Sequence, residues 1–215
     1  MSDQGIKDDI LLATLSHVPF DGWTQKALRR GTLDAGHVSS VALRVFTGGL
    51  VALVEHLSAY ADRMMLKTLE QQNLDEMRVR DRITFAVRCR LELMQPYREA
   101  MRRVAAFLTL PSNVPLATRL TYQTVNAMWY AAGDTATDFN FYTKRGLLSG
   151  VYTSTLLYWL NDESNDCAET WSFLDRRIDN VMKIPGYMSR VKNTIVRLPR
   201  PWALVRALRN PRTTH

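Results

Sequence analysis

Side chains able to do covalent or metal chemistry are few in this 215-residue chain, and they do not gather. The four histidines, His17, His37, His56 and His215, are scattered, and no Glu-x-x-His pair offers the ligands of a helical di-iron site. Phosphate-cradling, dinucleotide-binding, nucleophile-elbow and zinc-protease motifs are all missing from the sequence. Asp134 and Asp138 stand four apart, as paired carboxylates would, but at a helix start they read as capping and surface groups. Cys89 and Cys167 are far apart with no CxxC, which suits packed, reduced thiols in a cytosolic-type compartment. No residue is expected to catalyse or to ligate a metal, so the chain is read as a binding protein and not an enzyme.

The densest chemistry suited to binding lies in Met128–Arg145, where Trp129, Tyr130, Phe139, Phe141 and Tyr142 alternate with Asp134, Asp138, Asn140, Lys144 and Arg145. Aromatics beside charges make a docking surface, because a core would reject the charges. The same residues could form a polar helical corner with its aromatics turned inward.

Two further segments frame that stretch. From Gly146 to Asn161 there is no charge, and small residues alternate with Leu147, Leu148, Val151, Tyr152, Leu156, Leu157, Tyr158 and Trp159. A helix apolar on all sides is buried, and this one is too short to span a bilayer. It is expected to be a central core helix or the wall of an apolar cavity with room for a lipid chain. After Asp179 the chain carries eight Lys and Arg residues and no acid, which leaves 20 of the 28 bases against all 21 acids in the body. In that tail Tyr187, Val191, Ile195 and Leu198 recur at helical spacing beside Arg190 and Arg197, and Trp202 opens a shorter basic repeat. This is the composition of an interfacial membrane helix, although a helix packed on the body or on a second subunit has the same periodicity.

Helices must position all of this, since apolar residues recur at three and four and no alternating hairpin pattern occurs. The expected order is a short helix over about Lys7–Ser16, a turn at His17–Trp23, and a second helix N-capped by Thr24 that ends near Gly31. A third runs over about Ser39–Phe46, and a long fourth runs from Gly48-Gly49 to about Leu69. Further helices follow over about Asp75–Gln95, Tyr97–Leu110, Pro115–Ala132, Phe139–Asn161 and Asp166–Lys183, the last opened by a capping-box-like Asp166-Cys167-Ala168-Glu169. Pro185-Gly186 is expected to separate this helix from the tail helix. The arginines of residues 78–103 are interleaved with acids and read as a salt-bridged, solvated face. The start, Met1-Ser2-Asp3-Gln4-Gly5, does not read as a secretory leader or transit peptide.

Three short helices before a long one outline a regulator-type helix-turn-helix domain. Through residue 60, however, five bases face six acids, whereas phosphate binding typically uses about 6–10 contacts. The candidate recognition helix offers only Ser39, Ser40 and Arg44 as polar reach. A transcriptional repressor with a hydrophobic effector fits the outline and conflicts with the charge.

Several rare motifs coincide in order with those of one family. They are Pro19-Phe20-Asp21-Gly22-Trp23-Thr24, Leu110-Pro111-Ser112-Asn113-Val114-Pro115, and Thr170-Trp171-Ser172-Phe173-Leu174 with Arg177. Between them stand Met128-Trp129, Ala132-Gly133-Asp134, Thr137-Asp138-Phe139-Asn140, Tyr142-Thr143 and Arg145. In these the chain resembles the ubiquinone (coenzyme Q) biosynthesis accessory lipid-binding family, Coq-nine, over about residues 5–184. It departs at Phe141, where the family often has Trp, and at Lys144, where it often has Arg.

The resemblance implies an all-α, TetR-regulator-like helical fold in three parts. These are a degenerate helix-turn-helix domain over 1–72, a larger helical ligand and docking domain over 73–184, and a membrane-associating amphipathic tail over 185–215. It implies no cofactor beyond a bound isoprenoid or quinone lipid, held by Leu120, Met128, Leu147, Leu148, Val151, Tyr152, Leu156 and Trp159. It further implies a partner, the di-iron demethoxyubiquinone hydroxylase of the Coq-seven type, met by Asp134, Asp138, Asn140, Phe141, Tyr142 and Arg145. Tyr187, Arg190, Val191, Ile195, Arg197, Leu198 and Trp202 would meet the membrane. A homodimer, peripheral on the inner membrane in the bacterial cytoplasm and without affinity for nucleic acid, completes the expectation.

Overall fold

Apolar residues spaced three and four apart, punctuated by Gly, Pro and polar turns, fold the described residues into nine α-helices and no strand. The structure is a computed structural model that describes residues 3–133 and 139–195, with backbone alone for Asp75, Phe139, Asn140 and residues 182–195. The helices are α1 (Asp3–Asp21), α2 (Gln25–Asp34), α3 (Ser39–Val45), α4 (Gly49–Leu69) and α5 (Val79–Leu93). They continue as α6 (Arg98–Leu108), α7 (Val114–Ala131), α8 (Phe139–Asn161) and α9 (Ala168–Ile195). The chain divides into two units, Met1–Asp175 and Arg176–His215.

In the first unit α1 packs along α2 and also reaches α4 and α6. The α1–α2 contact is made backbone to backbone, because a Cβ on Gly31 would sit 2.5 Å from the Cα of Thr14. Thr14 is itself buried and donates its hydroxyl to the carbonyl of Ile10 at 2.7 Å. Thr24 caps α2 as expected, its Oγ1 accepting from the amide of Ala27 at 3.3 Å. α1 is longer than the sequence suggests and continues through Pro19 to Asp21. Proline in a last turn removes only one donor, and the helix ends where Gly22 takes the left-handed φ of +69°.

Buried Leu53, Val54, Leu57, Ala61, Met65 and Leu69 make α4 the shared wall of the core, with α5 and α7 packed against it. α7 in turn packs on α8, and α6 on both. α8 occupies the expected range, Phe139–Asn161, but its charge-free part from Gly146 is not buried on all sides. Leu148, Val151, Tyr152, Thr155, Trp159 and Leu160 face the core, while Gly146, Gly150, Thr153 and Leu157 form an exposed stripe.

The arginine-rich segment also differs from its reading as a solvated face. Arg78–Asp81, Arg88–Glu92 and Arg103–Glu99 are surface pairs. Arg82, however, donates to the carbonyl of Ala132 at 3.1 Å and so closes the C-terminus of α7. Arg98 donates to the carbonyls of Trp159 and Asp162, and Arg102 to that of Leu160, closing α8. Arg90 is buried among apolar residues.

The start of α9 is capped from upstream rather than by Asp166. The Asp162 carboxylate accepts from the amide and hydroxyl of Thr170 at 2.8 and 2.5 Å, and from those of Ser164 at 2.8 and 2.6 Å. Burial opposes its charge, but these hydrogen bonds outweigh burial and hold the carboxyl well below the usual range. Asp166 instead takes a left-handed φ of 50° in the turn before the helix. α9 then runs without interruption through Pro185-Gly186, so its backbone is one helix where two were expected.

Candidate functional site

Five helices enclose a cavity of about 230 Å³. α4 contributes Val54, Leu57, Ser58 and Ala61, and α5 contributes Arg90. Met101, Val104, Ala105 and Leu108 come from α6, Ala117, Leu120, Thr121 and Thr124 from α7, and Tyr152, Thr153, Leu156 and Leu157 from α8. Buried Leu57, Leu120 and Tyr152 mark its inner end, and exposed Thr109, Thr153 and Leu157 its solvent side. Of the residues expected to hold lipid, Leu120, Tyr152 and Leu156 line it. Met128, Leu148, Val151 and Trp159 are buried in the surrounding core, and Leu147 is half-buried outside the lining. Trp159 is fixed by its Nε1, which donates to Gln95 Oε1 at 2.8 Å.

The inner end of this apolar space is polar. The Arg90 side chain is 3% exposed and its Nε donates to Asp62 Oδ1 at 2.7 Å. Its Nη1 donates to the Tyr152 hydroxyl at 2.6 Å, and its Nη2 reaches Ser58 Oγ at 3.3 Å and Thr124 Oγ1 at 3.4 Å. Thr124 donates to Asp62 at 3.0 Å. Burial pushes the Tyr152 phenol above its ordinary range, so it stays protonated near neutrality. Residue spacing carried a signal for this cluster, since Ile83, Val87 and Arg90 share one face of α5, whereas Asp62 lies 28 positions away and no local pattern reveals it.

The expected docking residues lie where α7 ends and α8 begins. Tyr130 and Tyr142 are 79% and 69% exposed there. Phe141 is half-buried and packs edge-on to Tyr142 at 5.1 Å. Lys144 sits over the Trp129 ring at 5.5 Å, and the Trp129 indole donates to the Lys144 carbonyl at 3.3 Å. Arg145 does not belong to the outer surface: it is 5% exposed, its guanidinium lies over the Phe141 ring, and its Nε donates to Asn126 Oδ1 at 2.8 Å. It therefore fixes the corner rather than presenting itself to a partner. Asp134 and Asp138 fall outside the described residues, and Asn140 is described by its helical backbone alone.

Of the tail residues, Tyr187, Arg190, Val191 and Ile195 lie on the helical backbone of α9, and Arg197, Leu198 and Trp202 fall outside the described residues. Among the described residues no single helix is long and apolar enough to cross a membrane, and no three His, Cys, Asp or Glu side chains group to hold a metal. Cys89 and Cys167 are buried free thiols whose pKa values burial pushes up, a setting for packing.

On the helix-turn-helix face, Arg44 is paired with Asp3 at 3.2 Å, and Lys26 and Arg30 with Asp21 at 2.8 and 2.5 Å. α3 has only seven residues and exposes Leu43, next to an equally open Val38. Cations already paired and aliphatic side chains at the presumed groove contact are poor equipment for phosphates and base edges.

The fold has a counterpart in a TetR transcriptional regulator from Nitrosomonas europaea, with a TM-score of 0.67 over 83% of this chain and 98% of that one. At 18% identity the likeness is one of fold alone. Residues 114–185, from α7 into α9, match the COQ9 family. The chain is 36% identical to the rat mitochondrial ubiquinone biosynthesis protein COQ9 and 34% identical to the human one, each over 90% of its length. It spans 64% and 63% of those two proteins. Against COQ9-B of Xenopus laevis it is 32% identical over 90% of this chain and 68% of that protein. Identity at this level along nine-tenths of the chain, with α7 and α8 inside the matched family segment, means that the chain belongs to the COQ9 family.

Proposed function

We propose that this protein is a non-enzymatic accessory protein of ubiquinone biosynthesis. It holds the end of an isoprenoid or quinone lipid among α4–α8 and presents it, at a membrane surface, to the di-iron demethoxyubiquinone hydroxylase. The observation that carries this reading is the arrangement of α8, which bears exposed Tyr142 in its first turns and cavity-lining Tyr152 and Leu156 further on. Ten residues of helix at 1.5 Å each set the two tyrosines about 15 Å apart along one rigid element. A partner seated on Tyr130 and Tyr142 would thus lie close to whatever the cavity holds.

Membership of a family named for ubiquinone biosynthesis supports the pathway. The basic tail supports a peripheral position on an inner membrane, since each Lys or Arg near an anionic leaflet adds about 1 kcal/mol. A second copy of the chain would find an open face on α8, where a Cβ on Gly146 or Gly150 would meet nothing within 4 Å. Mass spectrometry of lipid extracted from the purified protein tests the reading together with flotation on anionic liposomes. Co-purifying isoprenoid or quinone lipid, and flotation lost on truncation after Pro185, are expected. A protein that retains no lipid, and a truncated chain that floats like the full one, would refute it.

A further inference from the structure

The hydroxyl of Tyr152 is committed on one side only. It accepts from Arg90 Nη1 at 2.6 Å, which leaves its own hydrogen to donate, and no acceptor for that hydrogen occurs among the described residues. Tyr152 is 5% exposed and lines the cavity, and a buried donor without an acceptor is costly. The missing partner is therefore an acceptor brought by whatever fills the space.

Charge and size narrow its chemistry. Among the described residues Arg90 is the one charged member of the lining, and Asp62 already neutralises it at 2.7 Å, so the polar end offers no net charge to an anion. Asp62 would instead repel a carboxylate or phosphate placed beside it. Thr124 gives its hydrogen to Asp62, and Ser58, which like Tyr152 accepts from Arg90, is half-buried, so Tyr152 is the buried donor left over at this end among the described residues. An apolar cavity of about 150 Å³ accepts a benzene ring. The roughly 230 Å³ here takes one substituted ring and little more, so a long tail must leave toward exposed Leu157.

We propose that the cavity takes its ligand ring-first, with a neutral carbonyl or hydroxyl oxygen of the ring accepting from the Tyr152 hydroxyl and the apolar tail leaving past Leu156 and Leu157. Arg90, held by Asp62, is the positioning residue that orients the phenol. The inference rests on the lipid-binding reading above and adds to it which end of the lipid enters.

Equilibrium dialysis of the full-length protein with three probes tests it: a decyl-substituted dimethoxy-methyl-benzoquinone, decylbenzene and decanoate. The quinone is expected to bind about tenfold more tightly than either of the others, the scale of one buried hydrogen bond. In Tyr152→Phe that preference falls to within about twofold while decylbenzene affinity stays unchanged. Infrared difference spectra supply a second readout on the unmodified protein, with a carbonyl stretch of the bound quinone shifted to lower frequency and restored in Tyr152→Phe. If the wild type binds quinone and decylbenzene equally, or if Tyr152→Phe keeps the preference, ring-first entry is wrong while lipid binding stands. Tighter binding of decanoate also overturns it, in favour of an anion site. Binding of none of the three removes the lipid reading and this inference together.

Discussion

Replacing Asp62 by Ala would strand the Arg90 guanidinium, which is 3% exposed, beside an apolar cavity. Breaking one half of a buried ion pair costs about 3–5 kcal/mol, because the remaining charge has lost its partner without regaining water. Two features of the site adjust that figure. The Asp62 side chain is 14% exposed, so water can reach the vacated position and the ion-pair cost falls toward about 3 kcal/mol. Thr124 loses the acceptor of its hydroxyl as well, which adds about 1 kcal/mol. At about 2–4 °C per kcal/mol for a chain of this size, the thermal midpoint should fall by roughly 8–16 °C. Urea unfolding followed by far-ultraviolet circular dichroism measures the loss, and a paired variant shows its origin. Asp62→Leu combined with Arg90→Met removes both charges and should return to within about 2 kcal/mol of wild type, as buried pairs do when replaced by apolar residues of similar volume. A cost below about 1 kcal/mol for Asp62→Ala would refute the reasoning. So would a double variant as unstable as the sum of its parts.

Three other outcomes follow from the geometry. Asp162→Asn should destabilise the protein by about 1–2 kcal/mol at pH 7 through loss of the charged cap on α9. Because the folded Asp162 carboxyl is held below its unfolded value of about 3.9, that contribution is present above pH 4 and is lost as pH falls. The difference between variant and wild type should therefore shrink in acid, and a gap that widened there would exclude the cap. Gly31→Ala forces a Cβ against the Thr14 backbone and should cost about 3 kcal/mol or more, read as a lowered urea midpoint, whereas an unchanged midpoint would mean the α1–α2 contact is looser than described. Tyr142→Lys should weaken capture of the cognate hydroxylase by about 30-fold, a hot-spot-sized effect, at an unchanged thermal midpoint. Arg145→Ala should lower capture and midpoint together, since Arg145 is buried; equal behaviour of the two variants in both assays would reject the distinction.

Most of the helical order was legible because it rests on local physics. The uncharged run Gly146–Asn161 marks the C-terminal end of α8, and Thr24 could be named as a cap from its place before α2. The misreadings share a cause, which is that a local rule was outweighed by neighbours distant in sequence or by the helix on either side. Pro19 and Pro185 each remove one donor, and the helices around them continue. Asp166 has the spacing of a cap, but Asp162 and Ser164 reach the α9 amides first across the intervening turn. Arg82, Arg90, Arg98 and Arg102 look alike in a charged segment, and their uses depend on carbonyls and a carboxylate at least 28 positions away.

The placement of the cations bears on what this chain can bind. In the first unit Lys26 and Arg30 are held by Asp21 and Arg44 by Asp3, which reduces the charge that the helix-turn-helix face can offer a duplex. On α5 and α6 Arg88 and Arg103 stay in surface pairs, whereas Arg82 closes α7 and Arg98 and Arg102 close α8. Both helices that frame the exposed tyrosines are thus anchored at the ends that reach furthest from their cavity walls or lead into them. Arg145 adds a third tie, from α8 to Asn126 of α7. Tyr142 and Tyr152 thus stand on one helix that is tied to α7 by Arg145 and Asn126. Under the proposed function, that shared helix is the physical link between a partner at the corner and a lipid in the cavity about 15 Å further along it.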